Sequence, residues 1–213
     1  MGHAISAAAA RDPQLTISAQ VDAGDSIDPG MAASDVAIDF SAASTIEEIC
    51  RLALEHRRPL VIGTTGHTEA QKRYIRTTAK SLPIVFASNF SVGVNALFWL
   101  TGRAAKLLGK SFEAEIVERH HKMKKDAPSG TAKTLAEIIT GITGKGDVPV
   151  ASIREGEVVG VHDVTFSGPG EQLELVHRAE SRETFATGAL TAAKWVLDKP
   201  PGLYSMQDVL GLT

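Results

Sequence analysis

The chain has 213 residues, 43% hydrophobic and 22% charged, with a formal net charge of -3. That length permits a substantial core in one or two domains, while the slight acidity excludes the basic footprint of a nucleic-acid binder. No run approaches the roughly 18 apolar residues of a membrane span, and a single cysteine, Cys50, excludes an intrachain disulfide, so a cytoplasmic protein that binds neither nucleic acid nor membrane is expected.

Residues 1–10 (MGHAISAAAA) are small and apolar but lack a basic leader, and read as a helix rather than a signal peptide. Residues 15–21 (LTISAQV) read as a strand ended by Asp22, and 36–40 (VAIDF) as a second. Over 44–57, Ile46, Ile49, Leu52 and Ala53 recur at helical spacing, with Ser44 as N-cap and Glu47 three residues on. Cys50 falls within that periodic stretch and reads as buried filler. A buried-type strand at 59–62, a helix at 68–81 and a strand at 83–88 continue the alternation. Such alternation implies a parallel sheet covered on both faces.

After residue 90 the pattern changes. A helix at about 92–108 leads to a strand at 112–119, and another helix starts near Ser129. Strand-like runs then follow closely at 148–154, 158–167 and 171–180, separated by glycine-containing turns such as Ser167 to Gly170. Consecutive strands without helices between them imply a mostly antiparallel sheet. A last helix at 184–197 precedes a short tail with a weakly amphipathic turn, whose apolar residues pack back on the first domain. Trp99 and Trp195 read as core, His162 and His177 as packed or exposed polar residues, and Arg182 as a hinge residue. The expected fold class is α/β. A Rossmann-like parallel-sheet domain takes 1–90 and 183–213, and a smaller α+β domain with a mostly antiparallel sheet takes 91–182. A doubly wound nucleotide fold opens with a strand and a glycine-rich turn; this sequence opens with a helix, so the first strand of that domain is missing.

The stretch from Glu118 to Thr131 carries the strongest chemical signal: two histidines, His120 and His121, three lysines at 122, 124 and 125, and Pro128-Ser129-Gly130-Thr131. Proline suits a helix entry, and open backbone N–H groups at a helix N-terminus make a carboxylate or phosphate site. Lysines add positive charge, and histidine supplies a proton near neutral pH. An acidic small molecule that is protonated during reaction fits the set. The competing reading is a solvated basic loop before a capped helix, and the paired histidines argue against it. No metal is expected, because lysines repel a cation and no ligand pair has the usual spacing. Ile62-Gly63-Thr64-Thr65-Gly66 follows a buried strand, where open α/β sheets bind ligands. Asp39-Phe40-Ser41 and the run from Ala87 through Ser88, Asn89 and Phe90 to Gly93 occupy similar strand ends, so a shared crevice is expected. Asp22 suits either a turn or a carboxylate accepting from the ribose hydroxyls of NAD and disfavouring the extra phosphate of NADP.

Taken together, these segments resemble the dihydrodipicolinate reductase family across nearly the whole chain. The run E-x-H-H-x-x-K-x-D-A-P-S-G-T stands almost intact at 118–131, supported by I-G-T-T-G at 62–66, N-F-S-V-G-V-N at 89–95 and S-R-x-T-F-A-x-G-A at 181–189. The resemblance implies a Rossmann domain, an α+β domain whose sheet builds a homotetramer, and NADH or NADPH as cofactor, with NADH preferred because of Asp22. It implies reduction of 4-hydroxy-tetrahydrodipicolinate in the diaminopimelate and lysine pathway, with His120 donating a proton and Lys124 as its cationic partner. His121, Lys124, Ser129, Gly130 and Thr131 take the substrate-binding positions. Met1, Asp22, Phe40, Gly63, Thr64, Thr65, Ser88, Asn89 and Phe90 take the cofactor positions. The family's G-R-M-G loop has only Met1-Gly2 as counterpart here, and residues upstream of Met1 are expected. Met123 stands where histidine or an aromatic is frequent, and the segment between 143 and 153 is short. Two rivals are a non-catalytic dicarboxylate-binding paralogue and another amino-acid dehydrogenase, such as an aspartate dehydrogenase.

Overall fold

The computed structural model describes residues 1–181 and 183–212, so Arg182 lies outside the described residues. The chain divides into two compact units, Met1–Ser91 with Glu183–Thr213, and Val92–Arg182.

The first unit opens with helix α1 (Gly2–Ala9), short helix α2 (Ile27–Ala33) and strand β1 (Ala37–Asp39). Helix α3 (Ile46–His56) follows a 3-10 turn and ends on Arg57 in the left-handed conformation, φ 54°. Strand β2 (Leu60–Ile62) is fully buried, as a central parallel strand covered on both faces must be. Helix α4 (Glu69–Thr78) starts in a capping box in which Thr68 accepts from Gln71 N and Gln71 reaches back to Thr68 N. Strand β3 (Pro83–Phe86) closes this stretch.

The second unit begins with α5 (Val92–Leu108), β4 (Glu113–His120) and α6 (Gly130–Thr143). Strands β5 (Val150–Arg154), β6 (Gly160–Gly168) and β7 (Glu171–Ala179) complete a sheet ordered β5-β4-β6-β7. Its β4–β5 pair is parallel, and the other two pairs are antiparallel. Ile116, Val164, Phe166 and Leu175 form its helix-facing surface, packed with Val94, Leu97, Phe98, Leu135 and Ile139 of α5 and α6.

The chain then returns to the first unit through α7 (Glu183–Val196), β8 (Gly202–Tyr204) and α8 (Met206–Leu210). The parallel sheet there is ordered β1-β2-β3-β8. Met206 and Val209 of α8 join Val61, Val85 and Ala189 in one apolar cluster, so the tail does pack on this unit.

Four expectations need correction. Residues 15–21 form no strand: their alternation marks a surface that packs well in a sheet, but a strand also needs a hydrogen-bonding neighbour. Among the described residues nothing pairs with the outer edge of β1, and Ile17 and Val21 stay 39% and 44% exposed. Ser44 is not the N-cap of α3; it lies in the preceding 3-10 turn, and Thr45 takes the cap position. Trp99 and Trp195 are half-buried rather than core, each with a cation over its ring, Arg103 and Lys199 respectively. The tail contains strand β8, which pairs in parallel with β3.

Candidate active site

Strand alternation builds the centre of the second unit. On β4, Ile116, Glu118 and His120 share one side and are all buried, while Arg119 on the other side pairs with Asp163 at 2.7 Å. Register brings Arg154 of β5 beside His120 and His162 of β6 beside Glu118. Arg154 grips the Glu118 carboxylate with both terminal nitrogens, Nη1 donating to Oε2 at 2.8 Å and Nη2 to Oε1 at 2.7 Å. His120 Nδ1 lies 2.5 Å from Glu118 Oε2, and Ser129 N donates to Oε1 at 3.2 Å. Ser129 is the N-cap of α6: its Oγ accepts from Ala132 N and lies 3.2 Å from His162 Nε2. The His120 and His162 rings meet edge to face at 5.1 Å.

These contacts set the charges. Burial pushes the Glu118 carboxyl up, but hydrogen bonds from Arg154, Ser152 and His120 outweigh it and hold the group at about 2. Burial holds His120 below the usual histidine range, aided by Lys124 and Arg154, while Glu118 opposes the shift. His162 is pushed down to about 3 by burial and by its neighbours His120 and His177, so it is a neutral ring at physiological pH.

Around this centre lie the expected substrate residues. Lys124 Nζ donates to both carboxylate oxygens of Asp126, at 2.7 and 2.9 Å, and Arg154 Nη2 donates to the Asp126 carbonyl at 2.6 Å. His121, Lys124 and Thr131 are half-buried, and Gly130 is exposed with open space where a side chain would project. The first turn of α6 adds the partial positive charge of a helix N-terminus. A base-and-acid histidine, a lysine and a cationic helix end thus lie within one loop and its flanking elements.

In the first unit the expected cofactor residues divide. Phe40, Gly63 and Phe90 come together at the carboxyl ends of the parallel strands: the Phe40 and Phe90 rings meet at 5.5 Å, and a side chain on Gly63 would overlap the Phe40 ring. Thr64 is buried beside them, its Oγ1 without a partner, as is Oδ2 of Asp39. Thr65 and Ser88 are exposed, and Asn89 Oδ1 accepts from Ser91 N at 2.8 Å. Met1 caps α1 and is exposed. Asp22 ends no strand; it sits in an exposed turn, where its Oδ1 accepts from Ala23 N and its own N–H donates to Asp25 Oδ2. No described contact joins Asp22 to Phe40, Gly63 or Phe90.

Sequence reasoning passed over Glu118 as a working residue, together with Arg154 and His162. A signal existed for the first: period-two alternation from Ile116 puts a glutamate on the buried face, two residues before His120. Arg154 and His162 become visible only through strand register.

Family models match both parts of the chain: "Dihydrodipicolinate reductase, N-terminus" over residues 1–90 and "Dihydrodipicolinate reductase, C-terminus" over 93–210. The 4-hydroxy-tetrahydrodipicolinate reductase of Akkermansia muciniphila is 47% identical over 232 aligned residues, covering 100% of this chain and 94% of the relative. The enzyme of the same name from Syntrophus aciditrophicus is 44% identical, covering 85% and 75%. Among solved structures, a dipicolinate-bound dihydrodipicolinate reductase from Paenisporosarcina sp. TG-14 superposes with a TM-score of 0.82 at 22% identity, covering 98% of this chain and 94% of that one.

Proposed function

The chain belongs to the dihydrodipicolinate reductase family, and from that premise we propose that His120 is its proton donor, while His121, Lys124, Ser129, Gly130 and Thr131 hold the substrate. The reaction is the NAD(P)H-dependent reduction of 4-hydroxy-tetrahydrodipicolinate to tetrahydrodipicolinate, a step of diaminopimelate and lysine biosynthesis. The observation that carries the assignment is the short path from acid to anion site: His120 and the N-cap of α6 bond to the same buried carboxylate. The positive end of α6 and Lys124 suit the substrate's two carboxylates, and His120 Nε2 is left to deliver the proton.

The cofactor, when bound, supplies the hydride. Residues at the carboxyl ends of β1, β2 and β3 fit such a group, because unpartnered buried oxygens on Asp39 and Thr64 are the kind of polar atoms that orient a ligand there. Phe40, Gly63, Thr64, Thr65, Ser88, Asn89 and Phe90 would hold its nicotinamide end, Met1 its phosphates and Asp22 its ribose. The first unit is thus the dinucleotide-binding domain and the second the substrate and oligomerisation domain. The exposed Asp22 carboxylate, beside uncharged Ala23, favours NADH over NADPH; a tenfold preference for NADPH in kcat/KM reverses this assignment.

The assembly is a homotetramer. Its support is the sheet face of the second unit turned away from α5 and α6, where Val176 is 50% exposed opposite Asp163; a monomer mass by light scattering rejects it. A cytoplasmic location is supported by the buried, free Cys50, whose thiol burial pushes up to about 11.

His120→Gln tests the central assignment. It lowers kcat by about 10²–10³ with a modest change in KM, as loss of a general acid requires. A rate equal to that of the unmodified enzyme rejects His120 as the donor.

A further inference from the structure

We propose that Glu118 is a positioning residue that fixes the tautomer and orientation of His120 and ties it to the substrate-binding end of α6, with Arg154 as the counter-ion that keeps it ionised. The inference rests on the reading of His120 as proton donor and adds what makes that histidine competent.

The geometry comes first. Glu118 is fully buried, and each of its oxygens is doubly used: Oε2 by His120 Nδ1 and Arg154 Nη1, Oε1 by Ser129 N and Arg154 Nη2. A carboxylate is an acceptor only, so the ring nitrogen facing it carries the hydrogen. That leaves His120 Nε2 as the nitrogen that gains and loses the working proton. No described residue bonds Nε2, and it faces Gly160, where an added Cβ would stand 3.1 Å away. The absence of a side chain at position 160 therefore keeps the working edge of the ring clear.

Electrostatics give the carboxylate a second task. The groups facing His120 are Glu118 on its own strand, Lys124 on the following loop, Arg154 on β5 and His162 on β6. Lys124 and Arg154 disfavour the imidazolium, His162 is neutral, and burial works in the same direction as the two cations. Glu118 alone favours the charged ring. Without it, the His120 pKa would fall further below the usual histidine range, and less of the ring would carry the working proton at any given pH. In the cycle, the N–H bond at Nε2 breaks, the proton goes to the substrate, and the electron pair stays on Nε2. The Nδ1 hydrogen and the ionised Glu118 are unchanged, and water returns a proton to Nε2.

Glu118 also spans two parts of the site. Through Ser129 N it holds the N-cap of α6, so one carboxylate sets the position of the acid against the helix end that takes the substrate's own carboxylate. Arg154 makes this arrangement stable, since a buried carboxylate without a partner would take up a proton instead.

The test compares wild type, Glu118→Gln, Glu118→Asp and His120→Gln by steady-state kinetics against pH, alongside nitrogen NMR of the histidine rings. In wild type, neutral His120 carries its hydrogen on Nδ1; finding it on Nε2 overturns the proposal without any variant. Because the reaction needs the protonated ring, kcat falls as pH rises through the His120 pKa. Glu118→Gln moves that limb to lower pH by about one unit or more and lowers kcat at neutral pH by about 10–10², and Glu118→Asp restores part of both. A purely structural role for Glu118 would lower the melting temperature and the folded fraction but leave the limb in place. If His120→Gln is inactive and the Glu118→Gln limb does not move, the positioning role fails while His120 stands. If His120→Gln is fully active, the underlying assignment fails.

Discussion

Single atoms decide several features of this chain. Gly188 lies in α7, where a β-carbon would overlap the carbonyl oxygen of Phe90, a residue at the candidate cofactor site. Backbone cannot swing aside as a side chain can, so Gly188→Ala must move either the helix or Phe90. The expected cost is about 1–3 kcal/mol, the range for overpacking a tight site, read as a lowered melting temperature together with weaker NADH binding by fluorescence titration. Unchanged values for both would mean that α7 and Phe90 part freely. This glycine stands in the F-A-x-G-A stretch at 185–189, yet sequence alone gave no reason for it; the reason is a contact made 98 positions away along the chain.

Elements were legible where local chemistry and tertiary packing agree. Helix α3 follows its apolar spacing, with Ile46, Ile49, Leu52 and Ala53 all buried, and α6 begins at the serine expected to start it. The capping box of α4 is the clearest local device, because Thr68 and Gln71 satisfy each other's backbone N–H groups. Thr68 is exposed, so Thr68→Ala removes the cap without opening a cavity. It should lower stability by about 1 kcal/mol, measured by chemical denaturation, with kcat unaffected; a loss below a few tenths would show that solvent replaces the cap. Residues 15–21 mark the opposite case. Their alternation is as good as that of many strands, but they lack a ladder partner, whereas the weakly patterned β8 becomes a strand because β3 offers it a parallel edge.

The molecule as a whole should respond to acid in a defined order. Four histidines, at 67, 120, 162 and 177, are held below the usual range, in each case chiefly by burial. A histidine whose folded pKa is depressed takes its proton first in the unfolded chain, so stability declines as pH falls below about 6.5. For His162 the loss continues down to about 3. Glu118, held at about 2 against an ordinary 4.5, has the same sign: its contribution is present above 4.5 and is lost as pH falls toward 2. Melting temperature should therefore fall continuously from pH 7 to pH 4, the first part of the decline preceding any carboxylate titration. A melting temperature that stays level between pH 7 and 5 would contradict the burial of these rings.

Alternation, spacing and the run from Glu118 to Thr131 were enough to determine two folding patterns, the change between them near residue 90, and the chemistry of a basic, histidine-bearing helix entry. Those are properties of neighbours along the chain, where period and residue type carry the information. Only the tertiary structure decided that Arg154 neutralises the Glu118 carboxylate and that His162 stands beside it as a neutral ring. Strand register sets those relations across separations of 34 to 44 residues, and no local pattern encodes which backbone will lie opposite.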